Sequence, residues 1–480
     1  MLDFKQLFDF FMIVNLCNRT MIQRLLFFCL LGYHATVGAA GMGLADARHL
    51  LARTGFGPTW PEVREFAALS RTEGIDRLLT ASRVQAVKPP PAWVAVCPPP
   101  VALRDLSLQE QQRRQQVKRE QGRELRVWWL TEMRDTPTPL TERMTLFWHN
   151  HFTSALPKVS SPVLMYRQNV LLRHHALGRF DVLLHEIAKD PAMLIYLDGA
   201  VNRKRRPNEN FAREVMELFT LGEGYYREAD VKDAARAFTG WSLDRETGEF
   251  CFRPAWHDGG TKTILGQTGR FDGDAVLDIL LAQPETAARV VRKLWREFIS
   301  LQPDEAEVKR IAEEFRKQRY EIKVALRCLL NSPAFWAPAH RGVLVKSPLD
   351  FVIGLQRQLD LKTLEQNQVA QRAAQLGQSV FAPPNVKGWP GGEAWLDSRA
   401  LLLRRQIVRQ WSMARRPRKP LAQNLDFAIK PWIRQFESAD WREAAQRLLL
   451  PLPPLRQPAA ILSPIEIVQA LLLDPVYQLK

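Results

Sequence analysis

The chain has 480 residues, 46% hydrophobic and 25% charged, with a formal net charge of +16. That balance supports one large or two ordinary packed domains and excludes a mostly disordered polymer. The basic surplus points to acidic polymer, anionic membrane surface or nucleic acid as neighbours, and the lack of zinc-finger spacing or an RNA-binding aromatic signature disfavours the last.

Taken in chain order, residues 21–40 (MIQRLLFFCLLGYHATVGAA) have the plan of a secretory signal. Arg24 supplies the positive flank, Leu25 to Leu31 the apolar core, and Gly38, Ala39 and Ala40 a small-residue cleavage site. The core is too short for an ordinary membrane span. Residues 1–20 hold a second apolar run and read as a start-site extension upstream of Met21. An uncleaved membrane anchor is the alternative. Periplasmic or secreted localisation follows from the signal reading. Of the five cysteines, Cys97, Cys251 and Cys328 would remain after export, enough for at most one internal disulfide.

The segment 41–480 reads as one helical domain. A short helix is expected at ARHLLARTGFGPT (47–59), broken by Gly55, Gly57 and Pro58. A proline-rich linker follows at 88–100, then one long helix over 103–133 with a middle that is polar all round. From 138 onward, helical patterns alternate with proline and glycine, and β-branched alternation is scarce. The expected fold is mainly α, a large multi-helix single-domain array, with a small β-hairpin near 247–266. FDVLLHEIAKDPAML (180–194), IKVALRCLLNSPAFW (322–336) and IEIVQALLLDPVYQL (465–479) share a helix-stop plan of polar residue, then proline. The basic runs RKRRP (203–207) and RRPRK (415–419) are expected to be solvated loops.

Three polar constellations carry candidate chemistry. FWHNHFTS (147–154) places His149 and His151 two residues apart. On a helix they point about 200° apart and cannot share a metal ion; on an extended chain they face one side and can. PNENFAREVMELFTLGEG (207–224) starts a helix at Asn208, with Phe211, Val215, Leu218 and Phe219 on its apolar face. Asn210, Arg213, Glu214 and Glu217 form a separate stripe. Two carboxylates at i, i+3 can bind a metal or share a proton, or simply pair with Arg213 and Arg236. HDGGTK (257–262) sets His257 and Asp258 in a glycine loop beside Lys262, without P-loop spacing. No G-x-S-x-G, H-E-x-x-H or dinucleotide fingerprint occurs, which disfavours a standard serine hydrolase, zincin or nicotinamide enzyme.

These motifs, with DPAMLIYLDG, DVKDAARAFTGW, VKSPLDFV and PPNVKGWPGGEAWL, make the chain closely resemble the bacterial family catalogued as domain of unknown function 1800. The match runs from about Ala47 to the C-terminus. The resemblance implies an exported, largely helical bacterial protein. It also implies a co-encoded exported partner that looks like the alkaline-phosphatase superfamily. It implies no reaction.

Two functions are expected from these residues. In the first, His149, His151 and His257 hold a divalent metal (zinc, iron or manganese). Arg213, Glu214, Glu217 and Asp258 are then catalytic, and Asn208, Asn210, Arg236, Trp241, Lys262 and Trp389 bind substrate. Hydrolysis of an envelope polymer or ester is the simplest reaction for that set. In the second, the chain is a non-catalytic scaffold acting with its exported partner or an anionic envelope polymer, and the polar residues buttress the core.

Overall fold

A side chain that accepts a hydrogen bond, followed by proline, starts helix after helix in this chain. The computed structural model describes residues 41–95, 107–244, 246–412, 428–436 and 440–480. Asp190 accepts from the Met193 amide (2.9 Å), Ser332 from Phe335 (3.3 Å) and Asp474 from Val476 (2.9 Å). The three parallel segments are thus one capped device used three times. Helix Phe180–Ala188 hands over to Pro191–Tyr196, Ile322–Leu330 to Pro333–Trp336, and Pro464–Leu473 to the 3-10 turn Pro475–Gln478. Each cap satisfies an amide that the helix start would leave unpaired. The start-site extension, the expected signal at 21–40, Cys97 and the run RRPRK lie outside the described residues.

The architecture is mainly α. The small β element expected near 247–266 is present as two antiparallel pairs. One joins β1 (Trp241–Leu243) to β2 (Phe250–Phe252), with Trp241 opposite Phe252; the other joins β3 (Lys262–Ile264) to β4 (Gln267–Gly269). Around these pairs the helices form one packed array. Helix α1 (Gly43–Thr54) is buried from Asp46 onward. It ends where Gly57, at φ +86°, lies against Gly354; a Cβ on Gly57 would sit 2.6 Å from the Gly354 Cα. Only glycine permits both that conformation and that approach.

Helix α2 spans Leu108–Asp135; residues 103–106 fall outside the described chain. Ser107 and Glu110 form its capping box. Its first half is solvated, with Leu108 76% exposed, while Leu125, Trp128, Trp129, Leu130 and Met133 are buried. Helix α3 (Pro139–His151) is buried at nearly every position. Helix α4 (Glu209–Glu214) runs directly into a π-helical turn, Val215–Thr220. Helix α5 (Glu228–Ala237) packs on α4, α6 (Pro284–Phe298) packs against the π turn, and α7 (Pro348–Gln358) completes the set that matters below.

The core is rich in large side chains, with Trp129, Trp148, Trp295 and Trp411 fully buried. It also holds charge. Arg143 and Lys480 both pair with Asp350 inside the protein, the second at 2.7 Å. Burial alone would raise the Asp350 carboxyl, but these two cations hold it well below the usual carboxylate range. Cys251 and Cys328 are unpaired thiols. No helix among the described residues is long and apolar enough to cross a membrane.

Candidate functional site

The helix that carries FWHNHF continues through His151, so His149 and His151 point to different surroundings. His149 is enclosed by the rings of Trp129, Phe381 and Trp389, with centroids 5.5, 5.5 and 5.7 Å away. Its Nε2 has no hydrogen-bond partner, and burial pushes its pKa down to about 4. It is a neutral ring in an aromatic box. Asn150, between the two histidines, reaches the opposite way. Its Oδ1 accepts the Trp389 amide at 2.8 Å and so pins the loop PPNVKGWPGG. Gly388 sits at φ +81°, and a Cβ there would lie 2.2 Å from Asn150 Oδ1.

His151 faces the π turn and α6. Its Nε2 lies 3.1 Å from the Phe219 carbonyl and its Nδ1 2.7 Å from Lys293 Nζ. A carbonyl only accepts, so the ring proton is on Nε2 and the Nδ1 lone pair faces Lys293. The Lys293 amine also donates to the Leu218 carbonyl at 3.3 Å, as does Arg289 Nε. The π turn makes this possible. Helix ends leave their last carbonyls without amide partners. Here Leu218 and Phe219 turn theirs toward one lysine, one arginine and one histidine. Gly222, at φ +100°, lets the chain leave without striking Arg289. Burial, then Arg289 and Arg296, push the Lys293 pKa down to about 7. Burial, then Lys293 and Arg289, hold His151 well below its ordinary value.

The pair opens into a cleft of about 350 Å³. One wall is apolar: Leu146, Phe147, Leu301, Trp389 and Trp395. The rest mixes cations with the polar side chains of Asn150, Ser347 and Gln378 and the carboxylates of Glu297 and Asp350. Arg143 and Lys480 are neutralised by Asp350, with Glu297 3.4 Å from Arg143. Arg296 and Lys387 also line the cleft, and neither side chain makes an ion pair among the described residues. The indole nitrogen of Trp389 is buried and without a partner. The cleft therefore presents two cations outside any ion pair and an amine–imidazole pair.

The other expected site residues are placed elsewhere or satisfied locally. Asn208 caps α4 and donates to the Asp198 carbonyl, and Asn210 donates to the Leu197 carbonyl. Both tie down the loop before the helix. Arg213 pairs with Glu228 (2.7 Å) and Glu209 (3.1 Å). Glu217 accepts from the Tyr226 hydroxyl at 2.7 Å. Glu214 makes no ion pair among the described residues; burial, then Glu217, raise its pKa, against a weaker pull from Lys387. Arg236 pairs with Asp258 and Asp233, both at 2.8 Å. His257 Nδ1 donates to the Thr239 carbonyl at 2.8 Å, and Lys262 to the carbonyls of Asp258 and Gly260. The HDGGTK loop is a clamp on the end of α5. Trp241 is a core residue, 5.0 Å from Phe238 and 5.5 Å from Phe250. RKRRP forms an exposed turn held by the Lys204 amide on the Trp256 carbonyl (2.8 Å), with the Arg203 guanidinium 3.7 Å over the Trp256 ring.

These placements do not fit a metal. Among the described residues no group of three or more His, Cys, Asp or Glu side chains stands where it could hold one. His151 spends both nitrogens on the Phe219 carbonyl and Lys293, His257 spends its Nδ1 on the Thr239 carbonyl, and His149 sits among aromatic rings. The residue that sequence reasoning missed is Lys293. Its signal was available: Arg289, Lys293 and Arg296 fall at i, i+4 and i+7, a stripe of one charge on one helical face. Such a stripe costs helix stability, and local conflicts of this kind mark sites.

A family model described as "Protein of unknown function (DUF1800)" matches residues 49–479. Comparison with curated proteins and with solved structures gives no match.

Proposed function

Because the chain belongs to the DUF1800 family, a family described as proteins of unknown function, we propose a function from the geometry of its cleft: it binds an anionic ligand and performs acid–base chemistry on it with Lys293 and His151. The single observation that carries this reading is the 2.7 Å contact between Lys293 Nζ and His151 Nδ1 at the wall of a cation-lined cleft. The arrangement has the parts of an activated-group site. Lys293 is the reactive group, His151 the neutral imidazole that accepts its N–H and relays its proton, and the Phe219 carbonyl the group that orients that ring. Arg296 and Lys387 supply charge for the ligand's anion, and the tryptophan wall supplies apolar surface. Ester or polymer hydrolysis in the bacterial envelope, after export, is one reaction compatible with this equipment.

Thermal shift with phosphate, sulfate, glucuronate and short acidic oligosaccharides tests the reading. At least one is expected to raise the wild-type melting temperature and to lose that effect in Arg296→Glu and Lys387→Glu. An equal effect in wild type and both variants would place anion binding outside the cleft.

A scaffold role with a co-encoded exported partner has its own support. Arg213, Glu217, Arg236 and Asp258 are engaged within the fold, and the first half of α2 is mostly exposed to solvent. Co-purification of the two proteins, with and without residues 107–121, tests that reading.

A further inference from the structure

Lys293 is arranged to do more than move a proton. Its amine donates two hydrogen bonds, to His151 Nδ1 at 2.7 Å and to the Leu218 carbonyl at 3.3 Å. A neutral amine has two N–H groups, so both are spent on fixed protein acceptors. What remains on nitrogen is the lone pair, and Lys293 lines the cleft. The acceptors are rigid: one is a buried imidazole held by the Phe219 carbonyl, the other a backbone carbonyl of the π turn. The two arginines on its own helix favour the neutral amine. Arg289 and Arg296 flank it on its own helix, and Arg143, Lys387 and Lys480 line the same cleft. Of the carboxylates nearest them, Asp350 and Glu297 are engaged with Arg143 and Glu217 with Tyr226, while Glu214 makes no ion pair among the described residues and interacts with Lys387. A lysine beside other cations and partly removed from water is an activated nucleophile.

We infer that Lys293 is a covalent nucleophile that forms an imine with the carbonyl carbon of an anionic aldehyde or ketone bound in the cleft. The inference rests on the acid–base reading of the same site and names its substrate class. The amine lone pair adds to the carbonyl carbon while the C=O π pair moves to oxygen. The proton that becomes acidic on nitrogen passes to His151 Nδ1 and then to that oxygen, giving the carbinolamine. His151 next takes the remaining N–H proton and delivers it to the hydroxyl. That oxygen leaves as water, the N–C bond becomes double, and amine plus carbonyl has become imine plus one water. No oxidant or reductant takes part. Arg296 and Lys387 hold the anionic group, and the wall of Trp389, Trp395 and Phe147 accommodates an apolar or ring portion.

The test uses the full chain with pyridoxal 5′-phosphate as an anionic aldehyde probe and uncharged pyridoxal as its control. Borohydride traps any imine at pH 7.5, and peptide mass spectrometry locates it. Lys293 is expected to be trapped before any other lysine, and with the phosphorylated probe at least ten times faster than with pyridoxal. His151→Phe is expected to slow trapping roughly 100-fold, the scale of a lost general base. Lys293→Arg should leave no modification at 293 in a chain of unchanged circular dichroism. Trapping spread evenly over surface lysines, or a His151→Phe rate equal to wild type, would overturn the inference. The two readings fail separately. Anions that stabilise the wild type through Arg296 and Lys387 while Lys293 stays untrapped would remove the nucleophile and leave the acid–base site; no stabilisation and no trapping would remove both.

Discussion

At the scale of single residues, Lys293 is held in a form that the isolated side chain would not choose at neutral pH. Its pKa is pushed down to about 7 in the folded chain, against an ordinary value of about 10.4 when unfolded. Between those values the unfolded chain binds more protons, so this group makes stability rise with pH across that window. Below pH 7 it is charged in both states and sits among other cations. Lys293→Met is therefore expected to leave the melting temperature unchanged or to raise stability by about 0.5–2 kcal/mol, as replacing a strained functional group commonly does. The same variant should lose imine trapping. A variant that simply unfolds would make Lys293 a structural support. Gly388 is the opposite kind of residue. Its positive φ and its closeness to Asn150 leave no room for a methyl group. Gly388→Ala is expected to cost about 1–3 kcal/mol, measured by urea unfolding, and to weaken anion binding because the Trp389 loop shifts.

At the scale of elements, the site is a meeting of three segments that the sequence keeps far apart: α3, the π turn after α4, and α6. The polar motifs on the first two were legible, and so was the PPNVKGWPGG loop, because polar residues packed into helical patterns stand out. Their convergence was not legible. It depends on where a helix loosens from α to π geometry, and nothing in EVMELFTLG announces that change. His149 and His151 also had two readings until the end of α3 was known. Once the helix runs through His151, periodicity alone sends one ring into the aromatic box and the other to Lys293. The Asn150 bridge is the element-scale prediction. Asn150→Ala removes an acceptor from the buried Trp389 amide and should cost about 1–3 kcal/mol. It should also release the loop to faster amide exchange at 385–392, while the His151–Lys293 pair persists.

At the scale of the whole molecule, charge is stored in the core. Arg143, Asp350 and Lys480 join α3, α7 and the chain's last described residues into one buried network. Removing one partner strands the others, so Arg143→Met is expected to destabilise the fold by about 3–5 kcal/mol in equilibrium unfolding. The buried histidines set the acid limit. His49 is pushed down to about 2 by burial and Arg53, His149 to about 4 by burial, and His151 well below its ordinary value. An unfolded histidine takes up a proton near pH 6.5, while these stay neutral in the fold. The stability these histidines contribute is therefore full above about 6.5 and falls steadily as pH drops toward 4. Melting temperature measured from pH 8 to 4 checks this, and His149→Phe should flatten the slope. The mainly α class was plain from composition and from proline and glycine spacing, because those set local structure. The cationic cleft was not, because its charges come from 143, 293, 296, 387 and 480, and only folding brings them to one cleft.

The central claim is that Lys293 is a neutral, reactive amine in the folded protein. Competitive acetylation with acetic anhydride across pH 5–11, quantified at each lysine by peptide mass spectrometry, measures it directly. The account predicts that Lys293 gains reactivity with a midpoint of about 7, ahead of the surface lysines, which follow at about 10.4. A Lys293 midpoint that coincides with the surface lysines would contradict it.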